Sequence, residues 1–359
     1  MSHQLEALAV ALAADLPVAL RGRPGVGKTS MIMQAAQALG LHPEVVIGST
    51  RDPADLVGLP LVSEDGVRIV PPNWAVKANA CTDGAVIFLD ELTTMAPMNQ
   101  AACFRIILER VVGDLPLGAH VRVAAAYNDA ADCDGYELSL PMRSRLCHLE
   151  VAANVDTFTA GLAGGWPEVP LIDGQVDASN DRQRWEAIVA GFIRAQPDLL
   201  DKTPPVGSSG GYATPRSWVA AARGAGAADA CGASTDARSL LIAGCVGVGA
   251  AIELLAYAAD LDLPDPREIL RDPDGTDLLL DPHRPDRVFV ILSSVVRTAI
   301  TSNDPEWWEA AFGVLGRATK AGFGDIAAWV CRPLVSRRPD GAELPANFAE
   351  LRDFLAVIP

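Results

Sequence analysis

Apolar positions recur at helical spacing from the start of the chain, so residues 2–15 are expected to form an amphipathic helix. A short unbroken apolar run at 16–20 then ends in a Gly/Pro-rich loop, the pattern of a buried parallel strand. Residues 28–39 are helical by composition. Further apolar runs at 45–47, 86–89, 121–126 and 146–151 alternate with helical stretches such as 97–110. That alternation predicts an α/β unit around a mostly parallel sheet. Turn chemistry at Glu64-Asp65-Gly66 and Gly113-Asp114 predicts hairpins within 59–70 and 110–123, as insertions on this unit.

After residue 151 the texture changes. A Gly/Pro/Asp-rich stretch runs to 180, a helix is expected at about 182–195, and a second loose segment spans 203–211; the two loose stretches read as hinges. Alanine-rich helical sequence resumes at 215–222 and again at 236–259. Residues 284–301 and 306–319 are helical in pattern, around a polar loop at 272–286, with no chemical motif and no internal repeat. The apolar run 240–259 carries Glu253 and reads as a buried helix, so no membrane span is expected.

Composition narrows the function classes. Of 359 residues, 50% are apolar and 21% charged, which suits folded domains and excludes a largely disordered chain. With 29 Lys and Arg against 45 Asp and Glu, the net charge of -16 argues against a general nucleic-acid-coating role. Seven cysteines without a C-x-x-C pair fit reduced thiols. No Lys or Arg precedes Arg21, so a basic signal-peptide start is missing, and a cytoplasmic location is the expectation.

Lysine is scarce here, occurring only at 28, 77, 202 and 320, and Lys28 sits inside a motif. Gly22-Arg23-Pro24-Gly25-Val26-Gly27-Lys28-Thr29 fits G-x-x-x-x-G-K-[ST], between a predicted strand and a predicted helix. Its glycines let backbone N–H groups turn toward phosphates, and the helix start adds positive potential. The predicted nucleotide-binding residues are Gly22, Pro24, Gly25, Val26, Gly27, Lys28, Thr29 and Ser30. Lys28 would neutralise the β/γ oxygens, and the Thr29 hydroxyl would ligate Mg2+. The strand at 86–89 breaks into Asp90-Glu91, where alternation sends the two carboxylates to different sides. Asp90 is assigned to the magnesium shell and Glu91 to polarising water.

These segments, together with Asp55-Leu56-Val57-Gly58, residues 84–110 and residues 121–129, resemble the MoxR-like branch of the AAA+ ATPases, which includes relatives associated with nitric-oxide reductase and rubisco activation. The resemblance covers about residues 5–230. It implies a P-loop AAA+ core at 1–153 and an all-α lid after a hinge at 154–260; residues 261–359 have no counterpart in the resemblance and are expected from their own pattern to form a helical extension. It further implies that Asn128 orients the attacking water and that Arg145, or else Arg143, is an arginine finger acting on a neighbouring subunit's nucleotide. Relatives commonly carry Asp-Arg-Phe where this chain has Ser144-Arg145-Leu146, which leaves the choice between the arginines open. Thr214-Pro215-Arg216 resembles the family's second sensor, so Arg216 would contact the γ-phosphate.

The implied protein is an ATP-hydrolysing, Mg2+-dependent, chaperone-like remodeller. The resemblance implies assembly as a homo-oligomeric ring, expected to be hexameric, and action on a protein client, with a von Willebrand factor A-type domain as the implied partner class. A nucleic-acid motor is the alternative, but the 59–70 hairpin carries only Arg68 beside Glu64 and Asp65. A nucleotide-gated scaffold that hardly hydrolyses is disfavoured by the joint presence of Lys28, Asp90, Glu91 and Asn128.

Overall fold

The computed structural model describes residues 2–64, 66–133, 135–170, 172, 178–204 and 207–339. The chain divides into two compact units, one of residues 1–178 with 200–252, the other of 179–199 with 253–359.

The first unit opens with α1 (Ser2–Ala13), β1 (Val18–Arg21), α2 (Lys28–Ala38) and β2 (His42–Ile47). It continues through α3 (Pro53–Val57), the pair β3 (Leu59–Ser63) and β4 (Gly66–Val70), α4 (Asn73–Ala80), β5 (Ala85–Asp90) and α5 (Pro97–Glu109). A small pair, β6 (Val111–Val112) and β7 (Leu115–Pro116), precedes β8 (Val121–Tyr127), α6 (Ala130–Cys133), α7 (Leu140–Arg143), β9 (Cys147–Glu150) and α8 (Val155–Gly164).

Five strands form one parallel sheet in the order β2-β5-β8-β1-β9. β5 is buried from Ala85 to Leu89, which is why its sequence is a continuous apolar run rather than an alternation. Both expected hairpins are present as the antiparallel pairs β3/β4 and β6/β7; Asp65, at the tip of the first, lies outside the described residues.

Three expectations are corrected. Helix α1 is not amphipathic, because Leu5 and every residue from Ala7 to Leu12 are buried. It packs against α2, β9 and two helices of the same unit, α10 (Pro215–Ala230) and α11 (Thr235–Val246). The stretch after residue 151 is not wholly loose, since α8 forms where the Asn154 side chain accepts a 2.8 Å hydrogen bond from the Thr157 N–H and caps the first turn. Residues 171, 173–177, 205 and 206 of the expected hinges lie outside the described residues. The single helix expected at 236–259 is two, α11 and α12 (Val248–Asp260), separated by Gly247 at φ 87°. A side chain is strained in that conformation, so the apolar run conceals a helix end.

The second unit is helical among its described residues. Helix α9 (Ser179–Ala195) packs on α14 (Pro285–Ser302), which also meets α13 (Pro266–Arg271), α15 (Pro305–Ala318) and α16 (Gly324–Ser336). Trp308 and Phe312 stack edge to face at 4.7 Å within its core, and the Trp308 indole donates to the Leu334 carbonyl at 3.0 Å. Helix α16 falls within the expected helical extension, although no separate helix with its bounds was expected there.

No helix among the described residues is long and apolar enough to cross a membrane. Cys81, Cys103, Cys133, Cys147, Cys245 and Cys331 are free thiols.

Candidate nucleotide site

In a parallel sheet, ligands gather at the carboxyl ends of the strands, and the chemistry-bearing residues collect there at the ends of β1, β5 and β8. The loop from β1 into α2 turns through Gly25 and Gly27 at φ 80° and 98°, a backbone region closed to most side chains. Gly27 is also the N-cap of α2, so the unpaired N–H groups and positive end of that helix face the loop. Lys28 is 9% exposed. Its Nζ donates to the Gly22 carbonyl at 2.7 Å, the Arg23 carbonyl at 3.1 Å and Asn128 Oδ1 at 2.6 Å. Burial lowers the ammonium pKa, partly offset by the Asp90 charge. Such a cation is stabilised by arriving anions.

The Thr29 hydroxyl donates to Asp90 Oδ2 at 3.0 Å, so the two predicted magnesium ligands are already in contact. Burial raises the Asp90 carboxyl pKa, and the Thr29 hydrogen bond opposes that shift. A half-buried carboxylate beside a hydroxyl is a hard oxygen pair of the kind Mg2+ takes.

Asp90 Oδ1 accepts the Glu91 N–H at 2.9 Å, and Glu91 itself lies at φ 61°. That left-handed geometry is uncommon outside glycine and marks stored strain, which is typical of functional positions. It turns Glu91 away from Asp90's partners and toward Ser49, whose hydroxyl donates to Glu91 Oε2. Sequence reasoning missed Ser49. The signal lies in the sheet register, where Ile47 pairs with Asp90, so the turn Gly48–Thr50 that follows β2 lies next to the end of β5. Asn128, one residue past β8, is fixed at both ends. Its Oδ1 accepts from Lys28 and its carbonyl accepts from the Thr93 hydroxyl at 2.9 Å. Arg21 at the end of β1 pairs with Asp129 at 3.0 Å and was also not anticipated.

The two finger candidates have different surroundings. Arg143 is 7% exposed, and its Nε donates to the Gly210 carbonyl at 2.9 Å, with the Tyr212 ring 5.6 Å from the guanidinium carbon. Its carbonyl lies 2.9 Å from His148 Nε2, and His148 Nδ1 lies 2.7 Å from the Tyr127 hydroxyl. Burial pushes His148 down to about 4, so it is neutral near pH 7.

Arg145 is partly exposed. It lies over the Phe104 ring at 4.6 Å and donates from Nη1 to the Pro141 carbonyl at 2.6 Å, while its buried Nε has no hydrogen-bond partner. Burial, and after it the charge of Arg216, lowers the Arg145 pKa. Arg216 is exposed in the first turn of α10. There a reciprocal cap joins Thr214 and Ser217: the Ser217 N–H donates to Thr214 Oγ1 at 3.1 Å, and the Thr214 N–H to Ser217 Oγ at 2.8 Å.

The phosphate loop opens into a cleft of about 1030 Å³, lined by residues 23–27, Ser30, Met31 and Gln34 together with Leu5, Ala153, Val155, Phe158 and Trp166.

Comparison with known proteins agrees with this geometry. The family profile of the AAA domain (dynein-related subfamily) matches residues 17–146. Midasin of Giardia intestinalis is 36% identical over 86 residues, which are 24% of this chain and 2% of Midasin. Protein MoxR of Methylorubrum extorquens is 34% identical over 106 residues, 29% of this chain and 30% of MoxR. Among solved structures, a candidate ATPase of Cytophaga hutchinsonii aligns at TM-score 0.43 and 14% identity, covering 67% of this chain and 79% of its own. A full-length MCM homolog of Methanopyrus kandleri aligns at TM-score 0.37 and 19% identity, covering 71% and 53%; neither score is high enough to argue from. The phosphate loop at Gly22–Thr29 lies inside the matched segment, as do Asp90, Glu91 and Asn128, so residues 17–146 are similar to the AAA domain of the dynein-related subfamily, and the chain spans less than a third of the curated relatives it matches.

Proposed function

We propose that this chain hydrolyses ATP with Mg2+ in a ring of identical subunits and uses the cycle to remodel a partner protein. The observation that carries the reading is the convergence of Lys28, Asn128, Thr29 and Asp90 at adjoining strand ends, with Glu91 held apart by Ser49. Lys28 and the loop N–H groups bind the β- and γ-phosphates. Thr29 and Asp90 would hold Mg2+, which supplies charge neutralisation on the phosphate oxygens. Glu91 takes a proton from water as the water oxygen attacks the γ-phosphorus, and the bond from that phosphorus to the bridging oxygen breaks, leaving ADP. Asn128 orients the water.

Arg145 is the better candidate for the finger that stabilises the transferring phosphoryl group of a neighbouring subunit. It is partly exposed, and its Nε is unpartnered, whereas Arg143 is buried and committed to Gly210. Arg216 reads the γ-phosphate from the start of α10.

The β3/β4 hairpin favours a protein client over nucleic acid. Its exposed residues include Leu59, Leu61, Val62 and Val67, an apolar surface suited to protein contact. A client with a von Willebrand factor A-type domain is the proposed partner class. Co-purification with Glu91→Gln, held in the ATP state, tests the client. Recovery of a protein in ATP and its release in ADP is expected, and nucleotide-independent recovery of nucleic acid instead would favour the motor.

A further inference from the structure

Helix α8 has no buried residue although it carries Val155, Phe158 and Leu162. Phe158 is 56% exposed and Trp166 is 46% exposed, both lining the cleft that begins at the phosphate loop. Their rings stand edge to face with centroids 6.1 Å apart. The indole is seated on the helix. A Cβ added at Gly161 would lie 2.6 Å from Trp166 Cε3, so only a glycine lets the ring rest there. Leu5 and Val26 add apolar surface to the same cleft. Two exposed aromatic rings fixed against each other beside a phosphate cradle are costly to leave in water and well shaped for a flat π-face.

Resting on the reading of Gly22–Thr29 as the phosphate cradle, we propose that Phe158 and Trp166 form a stacking subsite for the purine base of the nucleotide. The occupant follows from continuity: the residues that would hold the phosphates and the aromatic pair line one cleft, whose volume exceeds what phosphates alone fill. Stacking on an aromatic face depends on ring area more than on hydrogen-bond pattern, so ADP binds more tightly than UDP.

The test compares Mg-ADP, Mg-UDP and Mg-pyrophosphate, which lacks a base, by titration calorimetry on the full chain. Trp166→Ala and Phe158→Ala each weaken ADP binding about ten-fold and leave pyrophosphate binding unchanged. Gly161→Ala, which pushes the indole from its seat, weakens ADP in the same direction, and all three variants narrow the gap between ADP and UDP. Tryptophan fluorescence gives a second readout: ADP quenches it and pyrophosphate does not, and the difference disappears in Trp166→Phe. Equal loss of ADP and pyrophosphate binding, or ADP affinity unchanged in both alanine variants, overturns the proposal. Lys28→Ala is read separately. If it leaves pyrophosphate binding intact, the phosphate cradle fails, an outcome distinct from failure of the base subsite.

Discussion

The two compact units differ in what holds their side chains. At the strand ends of the first, polar groups are bound to one another. Lys28 holds Asn128, Thr29 holds Asp90, and Ser49 holds Glu91 on a left-handed backbone. In the second, order comes from apolar packing around Trp308, Phe312, Phe289 and Leu334. A polar network kept in strained geometry is poised for chemistry, whereas an apolar helical core supplies rigidity. If the proposed roles hold, the contrast separates residues whose loss would stop a reaction from residues whose loss would loosen a fold.

Arg145→Ala offers the largest separation. Hydrolysis is expected to fall on the order of 10³-fold with nucleotide affinity retained. Mixing that chain with Glu91→Gln should restore activity, because an intact Glu91 then faces an intact neighbouring arginine. No recovery in verified mixed assemblies would contradict action between subunits. Arg143→Ala is expected instead to lower stability by about 2 kcal/mol, since the Gly210 carbonyl loses a charged donor.

Trp308→Ala tests the other region. Removing the buried indole costs about 3–5 kcal/mol of the second unit's stability, seen by thermal unfolding, while Mg-ADP affinity of the folded protein stays within about two-fold. A loss of affinity comparable to that of Lys28→Ala would dissolve the contrast between the units.

A pH series sharpens the first region. His148 is buried and pushed from its ordinary 6.5 to about 4. Between those values the unfolded chain binds the proton and the folded chain does not, so stability falls as pH drops from about 6.5 and levels off below about 4. The total is about 3 kcal/mol. His148→Gln should flatten that part of the curve; an unchanged slope would remove His148 as its cause. The smallest effect is expected from Ser49→Ala, which frees Glu91 and changes basal turnover by a few-fold, with affinity constant.

The phosphate loop and the Asp90-Glu91 pair were legible in the sequence because each is contiguous and bounded by a strand. The parallel sheet was legible because buried strands read as apolar runs. Ser49 was not, since its meeting with Glu91 depends on the register of two strands about forty residues apart. Neither was the contrast between Arg143 and Arg145, two residues apart in sequence, because burial is decided by the segment around Gly210 that packs over one of them. Helix α8 was hidden by its glycines and by a lack of any buried face to impose a helical period.

The central claim is that binding and hydrolysis belong to different side chains. Measuring Mg-ATP affinity and steady-state phosphate release side by side in Lys28→Ala and Glu91→Gln tests it most directly. Lys28→Ala is expected to lose binding. Glu91→Gln should bind within about two-fold of the unaltered chain and release phosphate roughly 10²-fold or more slowly. Unaltered turnover in Glu91→Gln, or unaltered ATP affinity in Lys28→Ala, would contradict it.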